Sequence, residues 1–161
     1  MIVCVFDSPL GLMRLCSDGT HLTAVIFQGQ KYEKTHIPSD VISGSCSVLE
    51  ETKDWLSRYF QGEIPDHLPS LKPDGTPFQK KVWNLLLQIP YGKTATYGEL
   101  AKQLGCKSAQ AVGGAVGRNP VSVLIPCHRV VGADGTLTGY AGGVEKKEFL
   151  LNLEANLLGR I

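Results

Sequence analysis

Apolar positions in the first thirty residues fall in short runs separated by tight turns. "IVCVF" meets the turn "DSPLG", "LMRLC" meets "SDGT", and "HLTAVIF" follows. Two turns between short β-rich runs predict an antiparallel meander. The period then lengthens. From Ser45 to Phe60, Val48, Leu49, Thr52, Trp55, Leu56 and Tyr59 recur at helical spacing. "QGEIPDHLPSLKPDGTP", with its prolines and glycines, reads as a linker between an N-terminal α/β unit and a C-terminal unit. The second unit opens at Thr76, an N-cap followed by Pro77, and Gln79 is placed to close a capping box. Phe78, Val82, Leu85, Leu86 and Ile89 give this helix an apolar face, and "PYGK" ends it. Thr96 and Glu99 form a second capping box for a short helix through Leu104. Gly105 breaks that helix, and Ser108 caps a third, "AQAVGGAVGRN". A last helix runs from about Glu145 to Leu157, with Phe149, Leu150, Leu153 and Leu157 on one face.

The net charge of +1 hides a division: residues 1–75 hold six Lys/Arg against ten Asp/Glu, and residues 76–161 hold ten against five. A basic second half suggests a polyanionic partner such as nucleic acid. The five cysteines are irregularly spaced with no CxxC pair, which argues against a disulfide framework and for reduced thiols. No apolar stretch approaches the ~20 residues of a membrane helix. "MIVCVFDSPLG" lacks the basic start of a signal peptide, so a cytoplasmic protein is expected.

Chemistry concentrates in "VSVLIPCHRVVG", where Cys127, His128 and Arg129 interrupt what reads as a core strand. A thiol reacts as its thiolate, and a neighbouring base or cation favours that form. A buried structural cysteine is the plainer alternative, although His128 and Arg129 are costly to bury without partners. In an extended segment consecutive side chains diverge, so Pro126 must bend the chain or a water must bridge thiol and imidazole. Glu154, among the leucines of the last helix, is a candidate to orient His128. A solvated helix-end carboxylate is its alternative. The helices Tyr97–Leu104 and Ser108–Arg118 have the proportions of a helix-turn-helix. The second is built of small residues, Ala109, Ala111, Gly113, Gly114, Ala115 and Gly117. Glycines inside a helix cost about 1 kcal/mol each. Close helix packing and close approach to a narrow groove both account for them. Gln110 and Arg118 are its only long polar side chains. The glycines around Tyr140 suit either a turn or close approach of backbone to a ligand.

"PFQKKVW", "YGKTATYGELA", "AVGGAVGRNP", "IPCHRVVGADGTLTGYAGG" and "KKEFLLNLE" resemble, in order and spacing, the O6-alkylguanine-DNA alkyltransferases, also called methylated-DNA–protein-cysteine methyltransferases. The match is close over residues 77–154, and "SPLG…GTHLTAV" is similar to the family's more variable first domain. The resemblance implies an α/β (α+β) fold. Residues 1–72 would form a small antiparallel sheet with a helix, ribonuclease H-like. Residues 73–161 would form a mostly helical, winged-helix-like domain with the helix-turn-helix, which binds DNA and accepts the alkyl group. It also implies a monomeric suicide repair protein without cofactor, metal or membrane contact. Its partner would be double-stranded DNA bearing O6-alkylguanine, with O4-alkylthymine a further candidate. The damaged base is flipped out, because its O6 is unreachable within the stack.

Position by position, the resemblance makes Cys127 the alkyl acceptor. His128 takes the thiol proton through a water and is held by Glu154. Asn119 sits at a hinge, and Tyr97 donates a proton toward the leaving base. Val130, Tyr140 and Ala141 belong to the base pocket. Ala109, Gln110, Ala111, Gly113 and Arg118 belong to the DNA-facing helix, and Arg129 is an internal ion-pair or hydrogen-bond centre. The chain departs from the animal-type pattern at Gln110, where an arginine fills the gap left by the flipped base, and at Ala141, where some members have Ser. Some members bind zinc in the first domain. Of Cys4, Cys16, His21 and His67, only Cys4 falls near such a ligand position, and no metal is expected. The competing readings are a Cys-His thiol hydrolase, a DNA-binding sensor of oxidation or alkylation at Cys127, and a non-catalytic lesion binder. The presence of Cys127 argues against the last.

Overall fold

The computed structural model describes residues 1–137 and 139–158, with side chains through 156. The chain divides into two compact units, Met1–Asp74 with Pro120–Leu124, and Gly75–Asn119 with Ile125–Ile161.

In the first unit the meander forms as expected. β1 (Ile2–Ser8), β2 (Gly11–Ser17) and β3 (Leu22–Phe27) pair antiparallel in sequence order. A two-residue strand, β4 (Ile42–Ser43), adds parallel to β1, so the sheet order is β3-β2-β1-β4. β4 and the single-turn helix α1 (Glu33–His36) carry no periodic signal, and both are too short to show one. Helix α2 (Ser47–Phe60) buries Val48, Leu49, Thr52, Leu56 and Tyr59 against the sheet. The alternation of each strand divides the cysteines. Cys16 lies in a core cluster with Val3, Ala24, Ile26 and Ile37. Cys4 is opposite Leu15, so it points to the other face.

The stretch expected to be a linker is tied down. The Trp55 indole N–H donates to His67 O at 3.0 Å. Leu71 bridges Leu22, with Leu22 N donating to Ser70 O at 2.7 Å. Residues 120–124 close the same edge of β3: Val25 N donates to Pro120 O and Ser122 N to Val25 O, at 2.9 and 2.8 Å. Backbone donors on a buried strand edge need such partners.

In the second unit α3 (Pro77–Leu86) starts with the anticipated capping box, both halves formed between Thr76 and Gln79. The buried Trp83 Nε1 donates to Ala115 O at 2.9 Å and so joins α3 to α5 (Ala109–Gly117). α4 (Tyr97–Gln103) is capped by Thr96 and α5 by Ser108. Gly105, at φ 66, makes the turn between them in a backbone region costly for other residues. The two-residue strands β5 (Ala95–Thr96) and β6 (Val130–Val131) pair parallel. α6 (Val144–Leu158) closes the unit. Its buried stripe is Lys147, Leu150 and Glu154, at 1 %, 0 % and 1 % exposure. Phe149, expected on that stripe, is 38 % exposed. The side chain of Leu157, also expected there, lies outside the described residues. Leu150 is buried as expected, and the stripe departs from the leucine count because its other two members are charged.

Replacing Thr76 with Ala removes one half of the box and is expected to cost about 1 kcal/mol. The check is the midpoint of urea unfolding, which falls with an unchanged slope.

Candidate active site

The path into the site is a series of tight turns, where the sequence suggests a strand. Leu124 N donates to Ser122 O at 2.9 Å, closing a γ-turn around Val123. Val123 is at φ 72, a conformation that strains a β-branched residue. Cys127 N donates to Ile125 O at 2.8 Å, an inverse γ-turn around Pro126 (φ −81, ψ 64). Residues Cys127–Arg129 then form one turn of 3₁₀ helix. The expected core strand shrinks to β6, because Pro126 lacks an N–H to continue a ladder. Successive side chains in a 3₁₀ turn are about 120° apart. Cys127, His128 and Arg129 therefore face three different neighbourhoods from one rigid element.

Asn119 holds the turn. Its Nδ2 donates to Ile125 O at 2.8 Å, the same carbonyl that accepts from Cys127 N, and its side chain also hydrogen-bonds the Cys127 thiol. The thiol is nearly sealed, with Cys127 5 % exposed. Burial pushes its pKa up to about 11, against the opposing effects of Asn119, Lys147 and nearby backbone N–H groups. Near neutral pH such a thiol rests protonated. It needs a base.

His128 is fully buried. Its Nε2 lies 2.6 Å from Glu154 Oε2. Glu154 is anionic despite burial, because bonds from His128 and Arg129 outweigh desolvation and hold its pKa at about 2. An ionised carboxylate only accepts, so His128 Nε2–H is the donor and Nδ1 is the basic nitrogen of a neutral ring. Nδ1 is buried with no hydrogen-bond partner among the described residues. Burial holds the imidazole pKa below its ordinary value, against the pull of Glu154. Arg129 completes the group. Its Nε and Nη2 donate to Glu154 at 2.7 and 3.1 Å, and its Nη1 donates to Ile89 O at 2.8 Å. Gly92 N donates to Glu154 Oε1 at 3.1 Å.

Tyr97 is delivered by the β5–β6 pairing. Thr96 lies opposite Val131, so the first residue of α4 starts beside the strand that leaves the cysteine turn. Burial and the neighbouring Cys127 thiol raise the Tyr97 pKa. A Cβ on Gly139 would stand 3.4 Å from the Tyr97 hydroxyl, and one on Gly113 3.7 Å from its ring. Tyr140 and Val130 are buried and Ala141 is half-buried. On α5, Ala109, Gln110, Ala111, Gly114 and Arg118 are exposed, while Val112, Ala115 and Val116 face the core. A Cβ on Gly114 meets no atom within 4 Å, and those on Gly113 and Gly117 would make ordinary contacts. Internal packing therefore demands none of the three glycines. Gln110 and Arg118 are eight residues apart, about 12 Å along a helix. Among the described residues no group of three or more His, Cys, Asp and Glu side chains is placed to hold a metal ion, and no helix is long and apolar enough to cross a membrane.

The family model of the 6-O-methylguanine DNA methyltransferase DNA binding domain matches residues 77–156, and that of the ribonuclease-like domain matches residues 1–68. The chain belongs to the 6-O-methylguanine DNA methyltransferase family. It is 45% identical to the methylated-DNA–protein-cysteine methyltransferase of Methanosarcina acetivorans over 97% of this chain and 99% of that one. It is 46% identical to the Mycobacterium tuberculosis enzyme of that name over 92% and 88% of the two chains. The crystal structure of Mycobacterium tuberculosis OGT in complex with DNA superposes with a TM-score of 0.89 at 39% identity, covering 98% of this chain and 94% of that one. The α+β architecture read from the motifs is that of these methyltransferases.

Lys147 is the buried residue of this site that the motif reading passed over. The available signal was its spacing of seven from Glu154, which puts both on one face of α6.

The Glu154 group sets an acid limit. Its carboxyl has an ordinary value of 4.5 and is held at about 2 when folded. Its stabilisation is present above pH 4.5 and is lost as pH falls toward 2, on the order of 3 kcal/mol in all. His128, with its pKa depressed in the fold, adds a loss that begins as pH falls through about 6.5, where the unfolded imidazole takes up a proton. Glu154→Gln is expected to lower stability at pH 7 and to remove the limb between pH 4.5 and 2. Urea unfolding across pH measures both.

Proposed function

We propose that this chain flips O6-alkylguanine out of duplex DNA and moves the alkyl group irreversibly onto Cys127, once per molecule. The observation that carries the reading is the Cys127–Asn119 and His128–Glu154–Arg129 arrangement. It joins a sealed thiol, protonated at rest, to a neutral buried imidazole whose free nitrogen is a base. In the proposed reaction His128 Nδ1 takes the Cys127 proton through a water. The sulfur pair then forms a bond to the alkyl carbon, and the C–O6 pair stays on guanine. Tyr97 gives its hydroxyl proton to the departing base, and solvent exchange returns the imidazolium and phenolate to neutrality. In net, the thiol loses one proton, guanine gains one and the alkyl group is on sulfur. A thioether offers no leaving group for water to displace, so no second round follows. A thiol hydrolase would cycle instead.

Asn119 acts as the hinge between α5 and the cysteine turn, and Val130, Tyr140 and Ala141 as pocket wall. The exposed Ala109, Gln110, Ala111 and Arg118 of α5, with the half-buried Gly113 beside them, are the surface for the minor groove. Open space over Gly114 supports that choice over helix packing. Gln110 takes the gap-filling position, and the neutral amide supplies bulk without charge. Residues 1–72 then form a supporting α/β domain and residues 73–161 the DNA-binding and alkyl-acceptor domain. The protein works as a monomer in the cytoplasm, where its reduced thiols persist.

Incubation with a duplex carrying one O6-methylguanine is expected to add the mass of one methylene to the chain, saturating at one per molecule, and to add none to Cys127→Ser. Repeated turnover, or the mass on another residue, overturns the reading. The DNA face has its own test. Gly114→Leu is expected to preserve or raise stability, since Leu is the better helix former. It should weaken duplex binding about tenfold, close to 1.4 kcal/mol, because the larger side chain holds α5 off the groove.

A further inference from the structure

The buried stripe of α6 carries a second ionisable residue with no part in the proton relay. Lys147 is 1 % exposed, among the largest fully buried side chains of the chain. It lies two turns from Glu154 on the same face, about 10 Å along the axis. α6 packs against the 3₁₀ turn. The helix thus brings a carboxylate to His128 and Arg129 from one turn, and an ammonium to the thiol's surroundings from another. Lys147 Nζ stands 5.9 Å from the centroid of the Tyr97 ring, and Tyr97 itself feels the Cys127 charge. Burying a lysine is expensive, and a neutral side chain of the same length would fill the space at lower cost. We propose that Lys147 is a fixed buried cation that stabilises the Cys127 thiolate as it forms, a positioning role in the alkyl transfer. The inference rests on the alkyl-transfer reading for its purpose but not for its electrostatics.

The coupling is felt at both groups: Lys147 lowers the Cys127 pKa and Cys127 raises that of Lys147, each against a larger desolvation effect. Among the described residues the other ionisable groups around the turn are His128 and Arg129 on the turn itself, Tyr97 on α4, Glu154 on α6, Tyr91 beside Arg129 and the buried Tyr140. Lys147 also disfavours the His128 imidazolium, where Glu154 opposes it. Lys147 neither gives nor takes a proton in the step. The S–H proton passes to His128, and the ammonium stabilises the charge left on sulfur until the S–C bond forms. The site thereby combines a neutral base with a cation that makes the proton easier to remove.

The test is the rate of Cys127 carbamidomethylation by iodoacetamide at pH 7.5, well below the ordinary lysine range, followed by peptide mass in the full chain without DNA. Lys147→Met is expected to slow the reaction about tenfold. Lys147→Arg should stay near wild type. Single-turnover transfer from an O6-methylguanine duplex should slow in the same proportion at that pH, with affinity for undamaged duplex unchanged. An unchanged carbamidomethylation rate in Lys147→Met overturns the inference, even if transfer slows, since a packing role predicts that pattern. The reagent needs no DNA, so this failure is distinct from a failure of the repair reading. Should Lys147→Met not fold, Lys147→Gln, neutral and polar, is measured in its place against the same outcomes.

Discussion

One buried carboxylate organises the site. Glu154 accepts from His128, twice from Arg129, and from the backbone of Gly92. It ties the 3₁₀ turn, the loop after α3 and the C-terminal helix to one point. A buried anion is tolerated only when its oxygens are fully paired, so these partners are required by the charge as much as the charge by them. Removing any one of them leaves the others uncompensated in a poorly solvated place, which makes the arrangement rigid. The same rigidity fixes the His128 tautomer and the nitrogen that is left as a base.

The second constraint is desolvation, which works in opposite directions on neighbouring groups. It raises the Cys127 thiol, lowers the His128 imidazole and lowers the Lys147 ammonium. The thiol and the imidazole therefore rest uncharged, and the ammonium carries its charge at a cost. A thiol held protonated at rest is protected from adventitious oxidation and alkylation, which attack the thiolate. In the proposed reaction the thiol is then ionised by a local base and local charge.

Legibility in the sequence followed the length scale of each interaction. The meander, α2 and the capped starts of α3, α4 and α5 were readable because each depends on residues within four positions of one another, as Thr76 with Gln79. β4 and α1 were not, since two to four residues show no period. The stretch 61–74 read as a loose linker, and its bonds to β3 join residues about fifty positions apart. The cysteine turn read as a strand because its flanks are β-branched. Pro126 and the Asn119 side chain, acting on the Ile125 carbonyl, convert it to consecutive tight turns.

By itself the sequence determined the cast of the site and most of the local elements, because motif order, caps and periodicity are properties of neighbouring residues. Cys127, His128 and Glu154 could be named from it. Only the tertiary structure decided which imidazole nitrogen is free, that the thiol is sealed and protonated, that Gly114 of α5 faces open space, and that Lys147 is inside. Those are statements about solvent exclusion and charge proximity. Both arise only when α6, the 3₁₀ turn and α4 pack together and replace water around every ionisable group at once.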